Sequence, residues 1–186
     1  MSYHTPDIPT QLTEIPVFRA THAENQEQHG EWWTNERGQL HADDRPAVII
    51  SCNGNPIERR WYQNGKLKRV DDQPTIVKNH LSHPEVVYEN RWMTSNNVLH
   101  REGDLPAFER FNIKGESITT LYYKNGKMHR TEGPAAIFMY GHPEYWVNGC
   151  KIPKSIWEEE YGPKRVPITI EAIEKVLGYK ITIVDE

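Results

Sequence analysis

The sequence predicts a mainly β protein: antiparallel β-hairpin repeats that form an elongated, twisted meander sheet, with a small α/β cap at the C-terminal end. Three observations predict it. Trp32, Trp61, Trp92 and Tyr122 recur 29, 31 and 30 residues apart. Pro46, Pro74, Pro106 and Pro134 recur 28, 32 and 28 residues apart, and two markers drifting together about one period are the signature of repeat architecture. In the turn slot after the aromatic pair Asn-Gly stands at 64–65, 125–126 and 148–149, where both residues suit the positive φ of a type I′ hairpin turn.

Residues 1–29 form an arm. Pro6, Pro9 and Pro16 and the polar run Thr21 to Gln28 interrupt any helical or strand period, and Ile15 to Phe18 is the stretch expected to pair with the first sheet strand. Residues 30–152 hold about four repeats and a partial fifth. Each unit leads with an aromatic residue, followed by a second ring except at Trp92, makes a tight turn, then supplies one apolar residue before a polar tip: Leu40, Leu67, Leu99 and Met128. Glu36-Arg37-Gly38 and Asn96-Asn97 fill the turn slot where Asn-Gly is missing, since Asn tolerates the left-handed region. A proline then opens the next strand, where a missing amide does little harm. Return strands such as Glu85 to Trp92 and Ser117 to Tyr123 are β-branched and aromatic.

Residues 153–186 depart from the pattern and form the cap. Pro153 and Ser155 start a short helix ended by Gly162-Pro163; Thr169 caps a second, Ile170 to Leu177, closed by Gly178; Tyr179 to Val184 reads as a last strand.

Composition bounds the function. A length of 186 residues suits one domain with a small appendix. The chain is 37% apolar and 26% charged with mean hydropathy −0.78, and its 6 Trp and 9 Tyr supply buried area that aliphatics do not. A net charge of −4 gives no global field toward nucleic acid or anionic lipid. Cys52 and Cys150 lack metal-type spacing and read as free thiols in a reducing compartment. The N-terminal residues show no basic start or apolar core and no run approaches ~18 apolar residues, so a cytoplasmic protein with no membrane role is expected.

The stretch Tyr123-Lys-Asn-Gly-Lys-Met-His-Arg-Thr-Glu-Gly-Pro-Ala135 resembles MORN-like repeats, in particular the Asn-Gly-Lys-Leu-His-Arg-x-Asp-Gly-Pro-Ala form of phage and giant-virus proteins. The resemblance covers roughly residues 30–152. It is looser where Lys68 replaces His and Gln73 replaces Gly, where the third unit carries an inserted residue, and where Ala42 and Arg45 take the Arg and Gly places. The ordinary pattern has Gly after the His; Arg101 and Arg130 stand there instead, which argues against transferring membrane-binding roles. The resemblance implies stacked hairpins and a part in binding, scaffolding or toxin neutralisation, and it supplies no catalytic residue.

Three side-chain series are candidate sites. The tip histidines His41, His100 and His129 sit in matching places; strands at ~4.8 Å put them ~10 Å apart, too far for one metal ion, so each is expected to bond a backbone group of its own turn. The cations Arg69, Arg101, Arg130, Lys66 and Lys127 could form an anion-binding rim, although acids within three residues of each arginine favour local pairing. The aromatic ladder contributes Trp33, Trp61, Tyr62, Trp92, Tyr122, Tyr123 and Trp146 as candidate protein-binding anchors, because paired rings point to opposite sheet faces and one face is left to be core or interface.

No nucleophile elbow, phosphate loop, dinucleotide fingerprint or zinc spacing occurs, and no catalytic residue, metal or cofactor is expected. The expectation is a non-enzymatic protein-interaction module. Its most specific form is a phage-encoded inhibitor of a host or defence protein, or an antitoxin-like neutraliser. The alternative is a nucleic-acid or nucleotide binder using the Arg, Lys and His residues of the hairpin tips. Self-association is left open.

Overall fold

A computed structural model describes residues 11–15, 28–163, 170–178 and 180. It is mainly β. A nine-stranded antiparallel sheet runs in the order β1 (Gln11–Ile15), β2 (Gln28–Thr34), β3 (Val48–Cys52), β4 (Asn55–Arg60), β7 (Ile76–Asn79), β8 (Val87–Arg91), β9 (Phe108–Phe111), β10 (Ser117–Leu121) and β13 (Ala136–Phe138). Every pairing joins sequence neighbours within the sheet, so this is a meander. Three small two-stranded ladders stand apart: β5 (Tyr62–Gln63) with β6 (Lys66–Leu67), β11 (Tyr123–Lys124) with β12 (Lys127–Met128), and β14 (Tyr145–Val147) with β15 (Cys150–Ile152).

The chain therefore makes two kinds of hairpin. Long ones, such as β3–β4 and β9–β10, build the sheet. Short ones, closed by Asn64-Gly65, Asn125-Gly126 and Asn148-Gly149, form ladders of their own. These turns have φ of 49° and 76°, 51° and 78°, and 52° and 85°, as type I′ geometry requires. Gly38 and Asn97 adopt positive φ in the two turns without Asn-Gly, and isolated bridges Thr34↔Leu40 and Met93↔Leu99 close them.

In the arm, Gln11 to Ile15 lies against Thr34 to Gly30; Ile15 belongs to the predicted pairing stretch, and the rest of that stretch, with residues 16–27 as a whole, lies outside the described set. At the other end α1 (Lys154–Glu160) buries Trp157, whose ring lies 4.9 Å from Tyr145 of β14. Helix α2 (Ile170–Leu177) ends at Gly178, φ 76°, whose N–H donates to Glu174 O. The Thr169 cap and, Lys180 apart, the strand at 179–184 lie outside the described residues. No described helix is long and apolar enough to cross a membrane.

The sheet carries a charged row that the periodicity reading overlooked. Cross-strand partners Glu58↔Lys78, Lys78↔Glu89 and Glu89↔Arg110 place alternating charges directly opposite one another. Glu89 is 1% exposed. Its carboxylate accepts from Arg91 Nε at 2.7 Å and Arg110 Nη2 at 2.8 Å, with Lys78 Nζ at 3.7 Å. Burial pushes its acidity down, yet the Arg110 hydrogen bond and the charges of Arg91 and Lys78 outweigh it, so its pKa falls below the ordinary carboxylate value. This row does for the middle of the sheet what apolar side chains do elsewhere.

Candidate functional site

The short hairpins and polar tips stack on one another, and each junction uses matching residues. At the first, between the units led by Trp32 and Trp61, Asn64 N–H donates to His41 Nδ1 at 3.2 Å, Gly65 N–H to Leu40 O, and Ala42 N–H to Tyr62 O. The junction between the Trp92 and Tyr122 units repeats these as Asn125 to His100, Gly126 to Leu99 and Arg101 to Tyr123. The last junction repeats them as Asn148 to His129, Gly149 to Met128 and Arg130 to Trp146. Each histidine thus latches the turn of the following unit. The expectation that it would bond its own turn is corrected: the tip carries the imidazole beside the neighbouring turn, whose first amide has no partner within its own hairpin.

Glycine serves a packing purpose in the same places. A Cβ on Gly126 would lie 3.2 Å from the Val98 Cβ, and on Gly65 or Gly149 it would lie 3.6 Å from Gln39 or Lys127. The preceding unit presses against the bare side of the turn.

The arginines sit over the aromatic rings. Arg69 is centred 3.8 Å above Trp61, Arg101 3.9 Å above Trp92 and Arg130 3.9 Å above Tyr122, and each donates Nη1 to the carbonyl of the proline ending its own tip. Two of them also hold a carboxylate of the preceding unit. Arg101 grips Asp72 through Nε and Nη2 at 2.9 and 2.8 Å, and Arg130 grips Asp104 at 2.8 Å through both. The expected pairing within a unit is corrected as well: stacking on the ring turns the open edge of the guanidinium toward the neighbouring tip. The Asp104 hydrogen bond raises the Arg130 pKa, whereas burial lowers that of Arg69, which meets no carboxylate among the described residues. Five residues past Leu67 and Leu99 stand Asp72 and Asp104; five past Leu40 stands Arg45.

Of the predicted protein-binding rings, Trp61, Trp92 and Tyr122 lie under these arginines. Trp92 is buried, and Trp33, Trp61, Tyr62, Tyr122, Tyr123 and Trp146 are half-buried. Of the predicted anion-binding set, Arg69, Arg101 and Arg130 share one stacked pose, while Lys66 and Lys127 are exposed at the turns.

One junction breaks the pattern. Between the Trp61 and Trp92 units, Lys68 stands where the others have histidine, and Thr75 stands where they have the fully buried alanines Ala47, Ala107 and Ala135. The Thr75 hydroxyl donates to Arg91 O and accepts from Met93 N–H at 3.1 Å. Among the described residues none of the three latch bonds forms there; Asn97 N–H turns inward to Thr94 O. A groove of about 610 Å³ opens instead, lined among others by Lys66, Leu67, Lys68, Arg69, Met93 and Thr94.

Sequence reasoning also missed the exposed end of the sheet. Ile137, Phe138 and Met139 are more than a third exposed, and Tyr140 is 91% exposed. The run Ala135 to Tyr140 reads as a strand, but nothing local marks it as the last one.

No group of His, Cys, Asp and Glu residues suited to a metal ion occurs among the described residues, and Cys52 and Cys150 form no disulfide with each other. Comparisons with family models, curated proteins and solved structures find no match, so the chemistry of the site is read from its own residues.

Proposed function

We propose that this chain is a non-enzymatic protein-interaction module that takes a partner protein on the terminal edge of its sheet. The observation that carries the reading is β13. Its inner side pairs with β10 through Thr119↔Phe138, Thr120↔Ile137 and Leu121↔Ala136. On its outer side only Ala136 is bridged, to Glu144, and no described strand covers Ile137 and Phe138. An open edge offers main-chain donors and acceptors to an added strand, and the exposed Phe138 and Tyr140 supply aromatic anchors beside it.

A module of this kind works by occupancy. Blocking a host or defence enzyme, or neutralising a toxin, in the cytoplasm of a phage-infected cell is the setting that the repeat resemblance suggests. The stacked tips favour a nucleic-acid surface less, because Arg101 and Arg130 already hold carboxylates and the rim carries both signs.

Affinity capture from lysate tests the reading with paired variants. Wild type and a Leu81→Glu control, altered at another exposed apolar site, retain the same partner, and Phe138→Glu with Tyr140→Glu loses it. Equal retention by all three overturns the assignment to this edge.

A further inference from the structure

We propose that the fork of Arg69, at the junction between the Trp32 and Trp61 units, is a receptor for a carboxylate supplied from outside the chain. The inference is independent of the sheet edge, and the other units serve as its controls.

Three arginines are fixed alike. Arg69, Arg101 and Arg130 each sit over the leading ring of their unit, and each donates Nη1 to the carbonyl of its own proline. A guanidinium is planar and rigid, so these two contacts also fix the direction of its remaining edge, Nε with Nη2. In Arg101 and Arg130 that edge faces the tip of the preceding unit and holds its aspartate, Asp72 or Asp104, with both donors. By the same pose the edge of Arg69 faces the tip of the Trp32 unit, residues 42–45.

That tip brings it no carboxylate. Leu40 to Pro46 is six positions, one fewer than Leu67 to Pro74 or Leu99 to Pro106. In the two longer tips the aspartate turns through positive φ, 51° at Asp72 and 26° at Asp104, and no residue of 42–45 does so. Counted from the leucine, Arg45 stands in the place of the aspartate; counted from the proline, Asp44 does. Asp44 is exposed and pairs with no cation among the described residues, while Asp43 lies 3.4 Å from His41 Nε2. Arg45 is 5.7 Å from the centre of the Trp33 ring and likewise holds no carboxylate among the described residues.

The filled junctions show which anion fits. Arg130 meets Asp104 oxygen for oxygen, Nε to Oδ1 and Nη2 to Oδ2, both at 2.8 Å. A fork already held by its ring and its proline carbonyl binds such a group with little ordering cost. Charge points the same way. Arg45 and Arg69 bring two positive charges to the junction, and Asp43 and Asp44 bring two negative ones. One added negative charge is therefore tolerated better than the two of a phosphate.

NMR of the arginine Nε–H groups of the full chain tests this. The probes are sodium acetate and an acetylated, amidated Gly-Asp-Gly peptide, with sodium chloride as the control for ionic strength. Acetate up to about 200 mM moves the Arg69 signal saturably toward those of Arg101 and Arg130, which stay in place because their forks are occupied. Tighter binding of the peptide identifies an acidic side chain of a partner protein as the source; equal affinities identify the carboxylate alone as what is recognised. Arg45→Gln weakens binding by about two- to fivefold. Arg45→Asp puts the carboxylate on the chain: the Arg69 signal starts at the shifted position, acetate no longer moves it, and the urea midpoint rises. The proposal is overturned if acetate moves Arg69 no further than chloride does, if Arg101 moves equally, or if the Arg45→Asp chain still titrates. It is overturned too if Asp44→Asn shifts the Arg69 signal without any probe, since the chain then holds its own anion. Inorganic phosphate binding more tightly than acetate overturns the choice of carboxylate.

Discussion

Replacing Glu89 with glutamine tests whether the charged row holds the sheet together. The substitution keeps the shape and removes the charge, so Arg91, Arg110 and Lys78 lose their shared counter-ion while staying in place. Truncating one partner of a buried ion pair costs ~3–5 kcal/mol. The Glu89 side chain is 2% exposed, but its cations are 32–37% exposed and water screens part of the loss, which brings the expectation to roughly 2–3 kcal/mol. With a urea m-value of ~2–3 kcal/mol/M, the unfolding midpoint falls by about 1 M. The pH dependence adds a second reading. Because the folded-state pKa of Glu89 is depressed, its contribution is present above the unfolded carboxyl value and is lost as pH falls through the folded one. The gap between wild type and Glu89→Gln is therefore full at pH 7 and narrows below about pH 4. A loss under about 0.5 kcal/mol at pH 7, or a gap that does not change with pH, would refute the reasoning.

Other consequences follow from the stacked tips. His129→Ala removes the acceptor for the Asn148 amide; a loss of ~0.5–1.5 kcal/mol is expected, with faster hydrogen exchange at Asn148 read by NMR. Gly126→Ala and Gly38→Ala share positive φ, but only the first also meets a neighbour, Val98 at 3.2 Å. Thermal unfolding should show ~1 kcal/mol of backbone strain for Gly38→Ala and a larger loss for Gly126→Ala. A double-mutant cycle on Asp104→Asn and Arg130→Gln should give a coupling of ~0.5–1 kcal/mol that shrinks with salt, since Asp104 is partly exposed. A coupling of zero would make the pair a bystander of the ring stack.

Much of the fold was legible because hairpin chemistry is local. Asn64-Gly65, Asn125-Gly126 and Asn148-Gly149 announce their turns through the φ values that those residues alone adopt easily. The spacing of Trp61, Trp92 and Tyr122 announces a chain that returns to the same place about every 30 residues. Neighbouring strands then pair by proximity along the chain, and the antiparallel meander follows. Helix α1 was readable from its flanking prolines and glycine, since Pro153 and Gly162-Pro163 bound the segment on both sides.

Partnership was not legible, because sequence distance is a poor guide to which tip faces which. His100 and Asp72 look like members of their own units; in the structure they serve the turn at Asn125 and the guanidinium of Arg101. The aromatic pairs leave core and interface open as roles for their rings, and only three-dimensional stacking shows Arg69, Arg101 and Arg130 over Trp61, Trp92 and Tyr122. Lys68 and Thr75 read as ordinary drift in a repeat. Their effect exists only where two units meet, because a latch is a contact between units and a groove is its absence. The sequence by itself determined the turns, the period and the meander, all of which are set by local backbone preference. The tertiary structure alone decided which junctions close, which one stays open, and which strand is left at the edge.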